Sequence, residues 1–211
     1  AGSLHADFLA VYKAMDKPAA LAAGITEGQL QGALAGDIAL ILKNGELRVQ
    51  GNSFAKLPVA DPNAYLVARA GGLAATVQAD IASMLDPAGT LHADFLKVWN
   101  AMDTATLPAG VTVEEAQGTL AGDIAMVFKN GDVRVKGNTF EIITITNKNT
   151  YLTERAAGLD ATIQSNIVAM TDLAGSLHAD FLAVYNAMDK TAALAAGITE
   201  GQLQGALAGD I

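Results

Sequence analysis

An α+β fold of tandem repeats of about 86 residues, each roughly ααββα, is what this 211-residue sequence predicts. Two observations carry that prediction. The stretch SLHADFLAVY from Ser3 returns as TLHADFLKVW from Thr90 and again as SLHADFLAVY from Ser176. Each of the first two copies is then followed by an aliphatic run broken by Asn-Gly and by a second helical stripe. Aligning Ala1 with Ala88 and Ala174 divides the chain into repeat 1 (1–87), repeat 2 (88–173) and a partial repeat 3 (174–211). A second register fits equally well: a leading helical piece over 1–37 and whole units over 38–124 and 125–211. Copy three differs from the matching part of copy one only at Asn186 for Lys13 and Thr191 for Pro18. Such near-identity suits a longer array whose units alternate or were exchanged, of which this chain would be a fragment.

The elements follow in order. In the opening stretch Leu4, Phe8, Val11, Tyr12 and Met15 recur at helical spacing, with Ser3 as N-cap and Asp7 in the first turns, so the first element is an amphipathic helix. A second, shorter helix starts at the capping boxes Thr26-Glu27-Gly28-Gln29, Thr112-Val113-Glu114-Glu115 and Thr199-Glu200-Gly201-Gln202, and is expected to end near Gly36 and Gly122. The runs DIALILKNGELRVQ and DIAMVFKNGDVRVK read as β-hairpins turning at Asn44-Gly45 and Asn130-Gly131, because Asn-Gly favours the type I′ turn. That register sets Leu42 opposite Leu47 and Leu40 opposite Val49, with Phe128 opposite Val133 in the second copy. A long closing helix carries Leu66, Ala70, Leu73, Val77, Ile81 and Met84, matched by Leu152 through Met170. An additional strand over 142–145 is expected in the second copy alone, where the first has the loop-like AKLPVADPNAY.

Composition narrows the function. A 51% hydrophobic fraction suffices for cores, but with aromatics at 5% they must be built from Leu, Ile, Val and Ala. The net charge of −9 argues against nucleic acid and anionic membrane surfaces, which attract clustered Lys and Arg. No apolar run reaches the roughly 18 residues of a membrane span, and no basic-then-apolar leader is present. Without cysteine there are no disulfides or thiolate metal sites, which fits a cytosolic protein or a bacterial secreted one.

The candidate chemistry is sparse. The three histidines, His5, His92 and His178, share one position at the start of the first helix, where a structural role is the simpler reading than metal ligation. Asp7, Asp94 and Asp180, then Asp16, Asp103 and Asp189, then Asp37, Asp123 and Asp210 repeat three times. Arg48 with Arg134 and Arg69 with Arg155 repeat twice. Capping and surface pairing account for them more simply than acid–base catalysis, since duplication copies every residue regardless of use. No nucleophile elbow, P-loop, dinucleotide fingerprint or zinc-protease motif occurs. Neither catalytic nor cofactor-binding residues are assigned. The one metal candidate is calcium at Asp123, Asn130, Asp132 and Asn138, oxygen donors near one predicted hairpin.

Repetition itself points to function. An enzyme gains little from near-identical copies, whereas a stalk, matrix or filament gains reach or avidity with every unit. The expectation is a structural or adhesive region of a large bacterial extracellular or cell-surface protein, its partners being neighbouring repeats or identical chains. The alternative is a module binding a small molecule or glycan at one site per repeat, beneath the hairpin.

Overall fold

A computed structural model describes residues 3–211, apart from the side chain of Ser3, so the cap expected there lies outside the described residues. The fold mixes helix with two small antiparallel sheets. The first segment holds α1 (Ser3–Ala14), α2 (Pro18–Ala22), α3 (Glu27–Asn44), β1 (Glu46–Gln50), β2 (Ser53–Leu57), α4 (Pro62–Gly72) and α5 (Ala75–Leu85). The second runs α6 (His92–Ala101), α7 (Val113–Asn130), β3 (Asp132–Lys136), β4 (Thr139–Ile143), α8 (Lys148–Gly158) and α9 (Ala161–Thr171). The third has α10 (His178–Ala187), α11 (Thr191–Ala195) and α12 (Glu200–Asp210).

The capping boxes form as expected. Thr26, Thr112 and Thr199 each accept from the amide three residues on, and Gln29, Glu115 and Gln202 reach back to the cap amide. The helices they open do not stop at Gly36 and Gly122. They continue through DIALILK and DIAMVFK to Asn44 and Asn130, because Leu34, Ile38, Ile41 and Leu42 keep the helical period, as do Leu120, Ile124, Val127 and Phe128.

The Asn-Gly hairpin is therefore corrected. Gly45 (φ +88°) and Gly131 (φ +90°) close helices, their amides bonded to the carbonyls of Ile41 and Val127. A type I′ turn would need positive φ at the asparagine too, and no non-glycine residue among those described adopts it. The hairpins lie one element later, turning at Gly51-Asn52 and Gly137-Asn138 between the paired Gln50↔Ser53 and Lys136↔Thr139. Positive φ at the first of these two residues only is the sign pattern of a type II′ turn. Val49 now faces Phe54, and Leu47 faces Lys56. Of the strand expected over 142–145, residues 142–143 are the end of β4 and 144–145 lie outside it, while its counterpart β2 takes in the first three residues, 55–57, of the loop predicted for the first copy.

The long closing helix is also two helices. The chain turns at Leu73-Ala74 and Leu159-Asp160, and the side-chain amides of Gln78 and Gln164 donate to the Gly72 and Gly158 carbonyls left open at the break. The apolar stripe runs through the break because its two halves serve different cores. Tyr65 and Leu66 of α4 join Val11, Tyr12, Leu34 and Ile38 of α1 and α3. Val77 and Met84 of α5 instead join Phe95 and Val98 of α6 and Leu120, Ile124 and Phe128 of α7, together with Leu152 of α8. A third core sets Phe140 and Met170 against Phe181, Tyr185, Leu203 and Leu207 of α10 and α12. Helices α6 and α7 are thus covered from both sides. Accordingly α7 buries six residues, where α3, which meets α1 alone among the larger helix contacts while α4 packs on α1, buries two.

Candidate functional site

The repeated histidines sit where one segment meets the next. After α5 the chain doubles back at Gly89, where a Cβ would fall 2.1 Å from the Ser83 carbonyl oxygen; at Gly175 the same atom would meet the Ala169 oxygen at 2.2 Å. Only glycine lets the backbones pass this closely. His92 Nδ1 then bonds the Met84 carbonyl at 2.8 Å, and His178 Nδ1 the Met170 carbonyl at 2.9 Å. A carbonyl only accepts, so Nδ1 carries the proton. His5, with no described residues before Ser3, is exposed. The hairpin turn clasps the same neighbour: the Asp103 amide donates to the Asn52 carbonyl at 2.5 Å, and Asp189 to Asn138 at 2.7 Å. Lys148 adds an ion pair to Asp80 at 2.5 Å across the α5–α8 contact.

The repeated acids and arginines meet on α3, α4, α7 and α8. Arg69 reaches Asp37 at 2.5 Å and the Tyr65 hydroxyl at 2.8 Å; Arg155 reaches Asp123 at 2.6 Å and Tyr151 at 3.1 Å. Burial alone would lower the Arg155 guanidinium, but Asp123 and Tyr151 outweigh it and hold it above its ordinary value. Arg48 folds onto Glu46, and Arg134 onto Asp132 and Glu154. Asp7 accepts from the Asn63 side chain at 2.7 Å, and Asp94 from Asn149 at 2.6 Å. Asp103 and Asp189 cap the turns that follow them, while Asp16 is exposed.

The calcium candidates are divided among other tasks. Asp123 is held by Arg155 and Asp132 by Arg134; Asn130 is the last residue of α7; Asn138 gives its carbonyl to Asp189. Asp123 and Asn130 line one groove, of about 550 Å³, that Asp132 and Asn138 do not reach. Among the described residues, no three His, Asp or Glu side chains gather in a way that could hold a metal ion.

A groove of about 470 Å³ does lie beneath the first hairpin, between Leu47, Lys56, Tyr65 and Arg69 on one side and Glu115 and Thr119 of α7 on the other. No family model, no curated protein and no solved structure matches this chain. Its interactions must therefore be argued from its own residues.

One set of contacts was not read from the sequence. Tyr12 donates to Glu27 and Tyr185 to Glu200, with the ammonium of Lys17 or Lys190 over the ring at 4.7 and 4.6 Å. In the second segment Trp99, Val113 and Thr104 stand at these three places. Trp99 has no hydroxyl to pair, and packs instead on Phe54 with ring centroids 6.0 Å apart. The joint exchange of all three was the signal available. Burial and then the Glu200 carboxylate push the Tyr185 hydroxyl well above its ordinary value.

Proposed function

We propose that the chain is a tandem array of structural repeats of about 86 residues, part of a large bacterial extracellular or cell-surface protein that forms a stalk, matrix or filament. The observation that carries this reading is the sharing of cores across segment boundaries. Helices α6 and α7 of the second segment complete a core begun by β1, β2 and α5 of the first. Helices α10 and α12 do the same for β3, β4 and α9. A unit that finishes its predecessor's core favours an interlocked array over beads on a string. No helix among those described is long and apolar enough to cross a membrane. The array has no catalytic role in this reading. Its partners are neighbouring repeats or identical chains, and it requires no nucleic acid.

The decisive experiment fractionates the native cell with an antibody raised against this chain, and measures by small-angle X-ray scattering how the length of recombinant arrays grows with unit number. Recovery from the surface or medium, with length proportional to unit number, is the expected result. A protein confined to the cytosol, or arrays of constant length, would overturn it. The groove beneath the first hairpin favours a second reading, a module that binds a small molecule or glycan. Saturable binding of a glycan that is lost in Arg69→Ala with the fold intact would support it.

A further inference from the structure

The third segment carries α10, α11 and α12 without the helix that follows them in the other two. Val11, Val98 and Val184 occupy the same place on α1, α6 and α10, and they are 0%, 0% and 46% exposed. Val11 has α4 beside it, and no preceding segment is described; Val184 has the preceding β3, β4 and α9 but no following helix. The valine is buried in the first case and open in the second. Helix α12 also stops at Asp210 where α3 runs on to Asn44, but the helix packed along α1 is α4, whose Tyr65 and Leu66 share the core of Val11, so the main cover is the α4-type helix.

Polar groups leave the same imprint. Asp7 and Asp94 each receive an asparagine amide from that helix, and Asp37 and Asp123 each receive an arginine. Their counterparts Asp180 and Asp210 are exposed, and among the described residues neither has a polar partner. The helices that satisfy this pattern read Asn63-Ala64-Tyr65-Leu66-Val67-Ala68-Arg69 and Asn149-Thr150-Tyr151-Leu152-Thr153-Glu154-Arg155. Asparagine, the Tyr-Leu pair and arginine at i, i+2, i+3 and i+6 fall along one side of a helix.

We infer that the face of α10 and α12 bearing Asp180, Val184 and Asp210 is a docking site for an Asn-x-Tyr-Leu-x-x-Arg helix, of which this chain's own α4 and α8 are the pattern. The asparagine amide binds Asp180, the Tyr-Leu pair covers Val184, and the guanidinium binds Asp210. This is helix-in-groove recognition with complementary charge at both ends. The inference deepens the interlocking part of the proposed function, but does not depend on where the protein resides.

The test titrates the full chain with a labelled peptide of residues 147–160. To remove the nucleation cost of a short helix, a second form is locked by a lactam between Thr150→Lys and Glu154, both on the exposed side of α8. One saturable site per chain is expected. Val184→Asp, at a half-exposed position whose variant keeps the parent circular dichroism, weakens binding by at least about tenfold, the effect of losing an apolar anchor. Asp210→Asn, or Arg155→Gln in the peptide, weakens it about two- to fivefold, as for an exposed ion pair. Failure of the locked peptide to bind below millimolar concentration, or equal binding to the Val184→Asp chain, would overturn the assignment. The latter result would mean that the peptide displaces α4 or α8 instead. Either failure leaves the surface location of the protein to be decided by fractionation.

Discussion

Tyr185 shows how much one side chain can reveal about a junction. Burial first, then the neighbouring Glu200 carboxylate, raise its hydroxyl above the ordinary 10.0; burial also raises Tyr65 and Tyr151, whose neighbouring arginines pull the other way without prevailing. A raised acid keeps its proton in the folded chain after the unfolded chain has lost it. The unfolded state then binds fewer protons, and stability falls as pH rises from about 10. Urea unfolding at a series of pH values from about 9 upward should show this loss, and Tyr185→Phe should reduce it. Equal losses in both proteins would assign the alkaline sensitivity elsewhere. The two kinds of arginine separate in the same assay. Arg155 bonds both Asp123 and Tyr151 from a largely covered position, so Arg155→Met should cost about 1.5–3 kcal/mol, the range for hydrogen bonds to a charged group. Arg134 pairs with Asp132 in the open, so Arg134→Ala should cost less than about 1 kcal/mol.

At the scale of elements, Asn44-Gly45 separates two readings of the same letters. In a type I′ hairpin both residues need positive φ, whereas at this helix end only Gly45 has it, with its missing Cβ 2.8 Å from the Leu57 carbonyl oxygen. Gly45→Ala should therefore cost more than about 1 kcal/mol, while Asn44→Ala should stay within about 0.5 kcal/mol, both measured by thermal unfolding. Comparable losses at the two positions would restore the hairpin turn. The misreading had a physical source. DIALILK continues the helical period of Leu34 at Ile38, Ile41 and Leu42, and its short aliphatic run satisfies a strand equally well, so periodicity alone could not arbitrate. The better hairpin signal stood seven residues on, where Gly51-Asn52 lies between Val49 and Phe54. Capping boxes were legible because their chemistry is local: a hydroxyl and a carboxamide three residues apart need no tertiary partner. The break at Leu73-Ala74 was not, since one continuous stripe gives no hint that its halves face different cores.

For the whole molecule, the same limit governs the candidate site. The sequence showed that His92 and His178 recur, but the groups they bond belong to the preceding segment, and spacing along a chain does not say which segment folds onto which. It left two outcomes open, self-contained beads or interlocked units, and the shared cores favour the second. Met84 offers the sharpest separation. It is fully buried in α5, and its core contains Leu120, Ile124 and Phe128 of α7 and Leu152 of α8. Met84→Ala should cost about 2–5 kcal/mol through lost burial and the cavity left behind. Hydrogen exchange should show the loss in the amides of α7, residues 113–130, which lie in a different segment. Phe140→Ala makes the converse cut, exposing the core of α10 and α12 while leaving α1, α3 and α4 protected, because those three helices form a cluster without it. Were the segments independent, Met84→Ala would leave α7 at its parent protection and Phe140→Ala would leave α12 untouched. Stability would then belong to each repeat alone rather than to the contacts between them.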